Sequence, residues 1–338
     1  HHVSFLTKQG HKIFVQSGAG EGSGFTDKSY KDAGAIILKY AKDVYESSIM
    51  IIKVKEPQES EYEYLQVGQI LFTYLHLAPL KKLTNILLKK NIIAFAYETI
   101  EKDGELPLLK PMSEIAGSLA PLMGAFYLSK HQGSNGLLIC GTSAVEPAHV
   151  LIIGNGVVAR ASEKISRALG ARVTIIARHP KDKSEIILNN INLQEEISKA
   201  DIIIGAVLIK GAKTPSIITK KMLKHIQKGS ILIDVAIDQG GCFETSHPTT
   251  HDQPIYEVNG ILHYCVANMP GAYPKTASIA LSNESIYYIE LLANKGWKEA
   301  IKENQALKLG LNICLGHVTY EAVAYSHQLE FRDVDTLV

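Results

Sequence analysis

The sequence predicts an α/β protein with two Rossmann-like parallel-sheet domains. Three observations point there. Short runs rich in Ile, Val, Phe and Tyr alternate with helical patterns along the chain. The runs are almost continuously apolar instead of alternating in polarity, as strands covered by helices on both faces are. One run, Val150–Ile153, passes directly into Gly154-Asn155-Gly156 and then a helical pattern, a strand–turn–helix junction.

Taken in order, a first set of strands is expected at Lys12–Gln16, Ile49–Val54, Ile70–Leu75 and Ile92–Tyr97. A second set follows at Val150–Ile153, Arg172–Ala177, Asp201–Ala206, Ser230–Val235 and Leu262–Val266. Between them, Val158, Ala161, Ile165, Ala168 and Leu169 recur at helical spacing. Alternating strands and helices argue for parallel sheets with right-handed crossovers. Pro111-Met112-Ser113-Glu114 reads as a helix start with Ser113 as N-cap, running to about Lys130 and stopped by Gly133. A second long helix is expected over Ser278–Asn294, after the cluster Pro270, Gly271, Pro274. If that helix returns the chain to the first unit, residues 1–110 and 276–338 form one discontinuous domain, and residues 111–275 a second domain inserted into it.

The 338 residues are long enough for two domains with full cores. A 46% hydrophobic and 20% charged composition excludes a mainly disordered chain. A net charge of +1 excludes the strongly basic balance of a dedicated nucleic-acid binder. Cys140, Cys242, Cys265 and Cys314 are widely spaced without a CxxC, so neither a zinc site nor a disulfide framework is indicated. Reduced, buried thiols and a cytoplasmic location are expected. No apolar run approaches the roughly 18 residues of a membrane span.

The motif Gly154-Asn155-Gly156-Val157-Val158-Ala159 is G-x-G-x-x-A in its proper strand–turn–helix–strand setting. Gly154 permits the tight turn, Gly156 lets the backbone approach a pyrophosphate at the helix N-terminus, and Ala159 lets helix and strand pack closely. A ligand-free tight turn is the competing reading. At the end of the next strand, where a carboxylate normally meets the adenosine ribose, stand Ala177 and Arg178. Losing the carboxylate removes the reason to prefer NAD. A guanidinium there suits a 2′-phosphate, hence NADP, unless Arg178 is simply a solvated surface residue.

Polar residues also sit at other strand ends, where open α/β sheets bind ligands. Lys53 and Lys55 follow Ile49–Ile52, His76 follows Ile70–Leu75, and Asp238 follows Ser230–Ile237. A Lys can grip a carboxylate, a His can move a proton, and an Asp can handle a water or an iminium. The plainer alternatives are a packed hydrogen-bonded His76, Asp234 and Asp238 as turn or cap residues, and Lys55 as a solvated loop residue.

Several longer stretches carry a family resemblance. They are Gly18–Gly24, Lys53-Val-Lys-Glu-Pro57, Leu71–Ala78, Ala96-Tyr-Glu98, Pro111–Glu114, Gly205–Leu208, Asp234–Gly241 and Cys265–Pro270. Together, and in this order, they resemble the alanine dehydrogenase family, which includes the NAD-binding part of proton-translocating transhydrogenase. The resemblance covers nearly the whole chain. It implies reversible NAD-dependent oxidative deamination of L-alanine to pyruvate and ammonium. It implies His76 as catalytic acid/base, Asp238 as second catalytic residue and Lys55 as the substrate-binding lysine. Hydride would leave the substrate α-carbon for the nicotinamide, and water would attack the iminium. His76 and Asp238 would handle the protons while Lys55 held the carboxylate. Cofactor contacts are implied at Ser113, Gly154, Gly156, Val157, Val158, Val207, Leu208, Val235, Ala236, Ile237, Val266, Ala267, Asn268 and Met269, besides Ala177 and Arg178. A cytoplasmic homo-hexamer, with no nucleic-acid or membrane partner, is the expected assembly.

Two departures from the family pattern stand out. Members usually begin with a further strand and a loop ending in Thr-Pro that carries a substrate Arg, whereas this sequence opens His1-His2-Val3. If nothing preceded it, a severely impaired enzyme is the expectation. The other departure is Ala177 in place of the family's Asp. Two further functions therefore compete with the first: a transhydrogenase-like nucleotide-binding subunit, and a catalytically impaired paralogue kept as an assembly partner. The joint presence of Lys55, His76 and Asp238 argues against the former.

Overall fold

Alternate residues of a strand point to opposite faces of its sheet, and here both faces are covered. Val150 and Ile152 enter one apolar cluster, while Leu151 and Ile153 enter another. Ile202 and Ile204 divide from Ile203 in the same way, as do Ile231 and Ile233 from Leu232. This two-sided burial is why these strands read as unbroken apolar runs.

The computed structural model describes residues 1–207, 209 and 214–337. Two compact units emerge. One comprises residues 1–111 and 273–337, the other the described residues of 112–272. The chain begins with α1 (His2–Lys8), β1 (Phe14–Gln16), α2 (Asp27–Asp32), β2 (Ile36–Leu38), α3 (Ala41–Ser47) and β3 (Met50–Ile52). It continues through β4 (Ile70–Thr73), α4 (Lys81–Lys89) and β5 (Ile93–Ala96), and α5 (Lys110–Tyr127) leads into the second unit. There β6 (His149–Ile153), α6 (Val157–Ala168), β7 (Arg172–Ala177), β8 (Ile186–Ile187), α7 (Asn190–Lys199) and β9 (Ile202–Gly205) follow. Next come β10 (Ile231–Asp234), β11 (Ile255–Val258) and β12 (Ile261–Tyr264). The return to the first unit is α8 (Pro274–Glu303), followed by α9 (Gln305–Gly310), β13 (Leu311–Cys314), β14 (His317–Val318) and α10 (Glu321–His327).

In the first unit β1 and β2 form a parallel pair, and a separate five-stranded sheet runs β14-β13-β5-β4-β3. Strands β3, β4 and β5 are parallel, with Met50 opposite Ile70 and Ile70 opposite Ile93. One face is filled by Leu71, Leu75, Ala94 and Ala96 against Leu83 and Leu87 of α4. Phe72, Phe95 and Tyr97 pack edge to face as well. In the second unit the order is β11-β12-β10-β9-β6-β7-β8. The chain runs from β6 outward through β7 and β8, then returns to β9 on the other side of β6, which makes the C-terminal ends of β6 and β9 a topological switch point.

The α/β class and the parallel-dominated sheets hold, and each of the nine expected strands is present. Arg172–Ala177 has its expected bounds; the others are offset or shortened at their ends by a residue or two. Several expectations need correction. Ser113 is not an N-cap: α5 starts at Lys110, so Ser113 lies inside its first turn. That helix stops at Tyr127, and Gly133 instead ends a separate 3-10 turn, Lys130–Gln132, at φ 96°. The expected Ser278–Asn294 helix starts earlier, with Pro274 at N1, but is interrupted close to its expected end: Gly296 (φ 71°, ψ 165°) is non-helical, and a second helical stretch continues from there to Glu303. Strands β11, β13 and β14 are antiparallel edge additions. Cys242, Cys265 and Cys314 are buried, whereas Cys140, in the connection between α5 and β6, is exposed.

Candidate functional site

In the first unit, the Lys53–Pro57 segment continues β3 alongside the end of β4. Lys53 N donates to Phe72 O at 3.2 Å, Tyr74 N to Val54 O at 3.3 Å, and Thr73 Oγ1 to Lys55 O at 2.9 Å. These bonds bring Lys55 and His76 to the same end of neighbouring parallel strands. The two lysines then separate in role. Lys53 pairs with Glu61, which also accepts Gln58 N at 2.7 Å and the Tyr45 hydroxyl at 3.4 Å. Lys53 is thus committed to the fold, and half-buried Lys55 lies two residues further along.

His76 has φ 47°, in the left-handed region where a non-glycine residue costs of order 1–3 kcal/mol. Glu98 holds it there. This carboxylate is only 3% exposed. It accepts His76 N at 2.7 Å and Leu75 N at 3.2 Å. Below the imidazole, the Tyr74 ring lies nearly parallel to it at 6.0 Å between centroids, and the Tyr74 hydroxyl donates to Leu108 O at 2.5 Å. Burial, with Tyr97 and Glu98 nearby, pushes the Tyr74 hydroxyl far above its usual pKa, so it stays neutral. Among the described residues, His76 Nδ1 and Glu56 Oε2 are buried without a hydrogen-bond partner. An imidazole fixed through its backbone, with ring nitrogen capacity unspent, is suited to proton transfer.

In the second unit the glycine turn lies at the switch point. Gly154 has φ 115° and donates to Ile176 O at 2.8 Å. A Cβ at Gly154 would fall 2.4 Å from Ala206 O, so only glycine fits between β6 and β9. Gly156 caps α6, and a Cβ there would meet nothing within 4 Å. Open space above the free N–H groups of a twelve-residue helix is what a pyrophosphate requires, so these residues fit a dinucleotide. Val157 is exposed and Val158 half-buried. Ala159 is fully buried. Helix α5 lies so close to α6 that a Cβ at Gly117 would stand 2.4 Å from Val158 O. Ser113 lies one turn before Gly117 on α5. At the end of β7, Ala177 is buried and its carbonyl accepts Leu188 N at 2.8 Å, while Arg178 is exposed.

After β10, Asp234 is fully buried and organises the loop that follows. It accepts Cys242 N at 2.9 Å, Phe243 N at 3.2 Å, Ser246 Oγ at 2.6 Å and Ala236 N at 3.1 Å. Burial pushes its pKa up, and the Ser246 hydroxyl and the two loop N–H groups pull against that rise. The loop carries Val235 and Ala236, both half-buried, and the one-turn 3-10 segment Ile237–Gln239, in which Ile237 is buried. Asp238 Oδ2 accepts Asn268 N at 3.1 Å, which brings the segments after β10 and β12 together. Asn268 has φ 57°, and its carbonyl pairs with His251 Nε2 at 3.3 Å. Beside it Val266 and Met269 are buried and Ala267 half-buried. Val207 follows β9, half-buried, and Leu208 lies outside the described residues.

Buried carboxylates are the main residues absent from the expected set. Glu98 lies within a recognised motif, but its partners are 22 and 23 residues away and invisible in local pattern. Asp234, for which the sequence offers a turn or cap role, does cap a loop, but from the core. Glu185 had no sequence signal at all.

A parallel sheet with a glycine turn at its switch point defines a dinucleotide-binding α/β protein. Family models sharpen this: residues 1–116 match the alanine dehydrogenase/PNT N-terminal domain and residues 120–321 the corresponding C-terminal domain. The chain is 48% identical to an alanine dehydrogenase of Methanococcus maripaludis, over 98% of this chain and 93% of that protein. It is 47% identical to an alanine dehydrogenase of Staphylococcus haemolyticus, over 98% of this chain and 92% of that one. A solved L-alanine dehydrogenase superposes with a TM-score of 0.86 at 41% identity, covering 97% of this chain and 93% of the other. A transhydrogenase from Sinorhizobium meliloti shares the fold, with a TM-score of 0.77 at 22% identity over 94% of each chain. The chain belongs to the alanine dehydrogenase/PNT family. Among the described residues no helix is long and apolar enough to cross a membrane.

Proposed function

We propose that this chain catalyses the reversible oxidative deamination of L-alanine to pyruvate and ammonium with NAD. The observation that carries the reading is near-half identity to alanine dehydrogenases across 98% of the chain. The strand-end residues Lys55, His76 and Asp238 lie inside that matched length. The likeness to a transhydrogenase, at 22% identity, concerns the fold and does not favour the nucleotide-relay alternative.

Residues 1–110 and 276–338 serve the substrate, and residues 111–275 serve the cofactor. The Gly154–Val158 turn, Ser113 and the segments at Val207–Leu208, Val235–Ile237 and Val266–Met269 hold the dinucleotide. When bound there, the dinucleotide would supply a hydride acceptor for the substrate α-carbon. Lys55 binds the alanine carboxylate as a compact cation. His76 takes a proton from the water that attacks the iminium and returns a proton to the amine nitrogen as ammonia leaves, and its fixed backbone keeps the imidazole in register for both transfers. Asp238 holds the water and balances the positive charge of the iminium.

At the adenosine end, the absence of a carboxylate at Ala177 and the exposed Arg178 support use of NADP at least equal to that of NAD. Family membership extends the reading to a cytoplasmic homo-hexamer. The deciding experiment is turnover of L-alanine, L-serine, glycine and 2-aminobutyrate with each cofactor, followed by reduced-nicotinamide absorbance. L-alanine gives the highest kcat/KM, and Arg178→Ala lowers NADP turnover more than NAD turnover. Failure of L-alanine to reduce either cofactor refutes the activity. A strong NAD preference in the unaltered protein refutes the role of Arg178.

A further inference from the structure

At the end of β7 the chain runs through exposed Arg178, His179, Lys181 and Lys183, with Asp182 the carboxylate among them. The residue that closes this segment, Glu185, has a side chain with 0% exposure. Its Oε2 accepts Asn155 Nδ2 at 2.8 Å and Lys181 N at 2.9 Å. Its Oε1 pairs with the guanidinium of Arg160, in the first turn of α6. The same Asn155 Nδ2 also donates to His179 O at 2.8 Å. Arg160 reaches Glu163 at 3.1 Å and Asp182 at 3.8 Å as well. One buried carboxylate therefore ties together the middle residue of the glycine turn, the start of α6 and the basic segment after β7.

We propose, resting on the dinucleotide reading above, that Glu185 is a positioning residue that sets discrimination between the 2′-hydroxyl and 2′-phosphate forms of the cofactor. In proteins that favour the hydroxyl form, a carboxylate at the end of this strand faces the ribose and repels a 2′-phosphate. Here that position is Ala177, and the nearby carboxylate of Glu185 is turned inward, both oxygens engaged by donors. It offers the ribose nothing. It instead accepts Lys181 N directly and holds Asn155, whose Nδ2 in turn donates to His179 O, so that it braces the backbone beside exposed Arg178 and Lys181. Burial alone would push the Glu185 carboxyl up, but Asn155, Lys181 N and Arg160 outweigh it and hold the group ionised. The clamp thus persists at neutral pH.

The test is the dissociation constant of NADH and of NADPH for the full chain, by fluorescence titration, in the unaltered protein, Glu185→Gln and Asn155→Ala. Glu185→Gln keeps the shape but presents an amide N–H₂ to groups that are themselves donors. Charge-assisted bonds of this kind are typically worth a factor of about ten or more each. The expected result in both variants is NADPH binding weakened about tenfold and NADH binding much less affected, so that the ratio of the two constants shifts. Glu185→Asp, which keeps the charge, restores part of the ratio. If both variants weaken the two nucleotides by the same factor, Glu185 is only structural and the proposal falls. If Glu185→Gln fails to fold, the ratio in Asn155→Ala decides alone. If the unaltered protein binds neither nucleotide, the dinucleotide reading itself is wrong.

Discussion

The backbone N–H of His76 donates to Glu98 Oε1 at 2.7 Å, and the His76 backbone is left-handed at φ 47°. A buried carboxylate 22 residues further along the chain thus sets the conformation of the residue assigned to proton transfer. It does so through the backbone N–H, and among the described residues the imidazole Nδ1 has no hydrogen-bond partner.

Removing that acceptor leaves the Leu75 and His76 N–H groups buried and unpaired. Glu98→Ala is expected to cost about 2–6 kcal/mol of stability, at about 1–3 kcal/mol for each of the two N–H groups. Turnover should fall by about a hundredfold, the effect of an ångström-scale misplacement. Glu98→Gln retains an oxygen acceptor and recovers part of both. Urea unfolding and kcat measured side by side check this. A Glu98→Ala protein with full kcat shows that His76 does not depend on the contact.

The two glycines of the nucleotide turn are expected to behave oppositely. Gly154→Ala places a methyl 2.4 Å from Ala206 O and at φ 115°, so the folded protein loses stability. Gly156→Ala meets nothing within 4 Å, so the melting temperature holds. The added methyl occupies space that the pyrophosphate needs, and NADH binding weakens by about tenfold or more. Melting curves and NADH titration separate the two effects. Unchanged NADH affinity in Gly156→Ala would place the cofactor elsewhere.

Stability is expected to fall in mild acid because of two buried histidines. His149 pairs with Thr174 Oγ1 at 2.8 Å and His263 with Thr245 Oγ1 at 2.8 Å. Burial pushes both below the usual histidine pKa, and Arg172 adds to the effect at His149. Both are therefore neutral in the fold, while the unfolded chain takes up their protons near pH 6.5. The unfolded state binds more protons as pH falls below about 6.5, so stability present above that value is lost toward pH 5. Urea midpoints between pH 8 and 5 measure this, and His149→Gln should flatten the profile. A profile as steep in His149→Gln and His263→Gln as in the parent assigns the acid sensitivity to other groups.

Strands buried on both faces, such as β6, β9 and β10, were legible because unbroken Ile and Val runs announce themselves, and the less buried edge strands β1 and β3 were legible from the same kind of short apolar run. Strands β2, β8, β11, β13 and β14 were not. Strand β8 is two residues long, too short for any periodicity. The β11–β12 hairpin had a readable signal in Val258-Asn259-Gly260-Ile261, whose turn takes φ 56° and 81°, as a two-residue Asn-Gly loop should. Strand β13 lies in a tail that otherwise reads as helix, and its neighbour β5 is more than 200 residues away. At the candidate site, the glycine turn was legible because its chemistry is local. The contacts made by Glu98, Asp234 and Glu185 join separate segments of the fold. A carboxylate's letter in the sequence does not say whether it faces water or a row of buried N–H groups.

The most direct test of the central claim is L-alanine-dependent NADH formation by His76→Ala and Asp238→Ala, each first shown by titration to bind NADH as the parent does. Loss of at least about a hundredfold in kcat in both, with NADH affinity retained, is the expected result for groups that handle protons in the reaction. Parental turnover in both variants would contradict it and remove His76 and Asp238 from the chemistry.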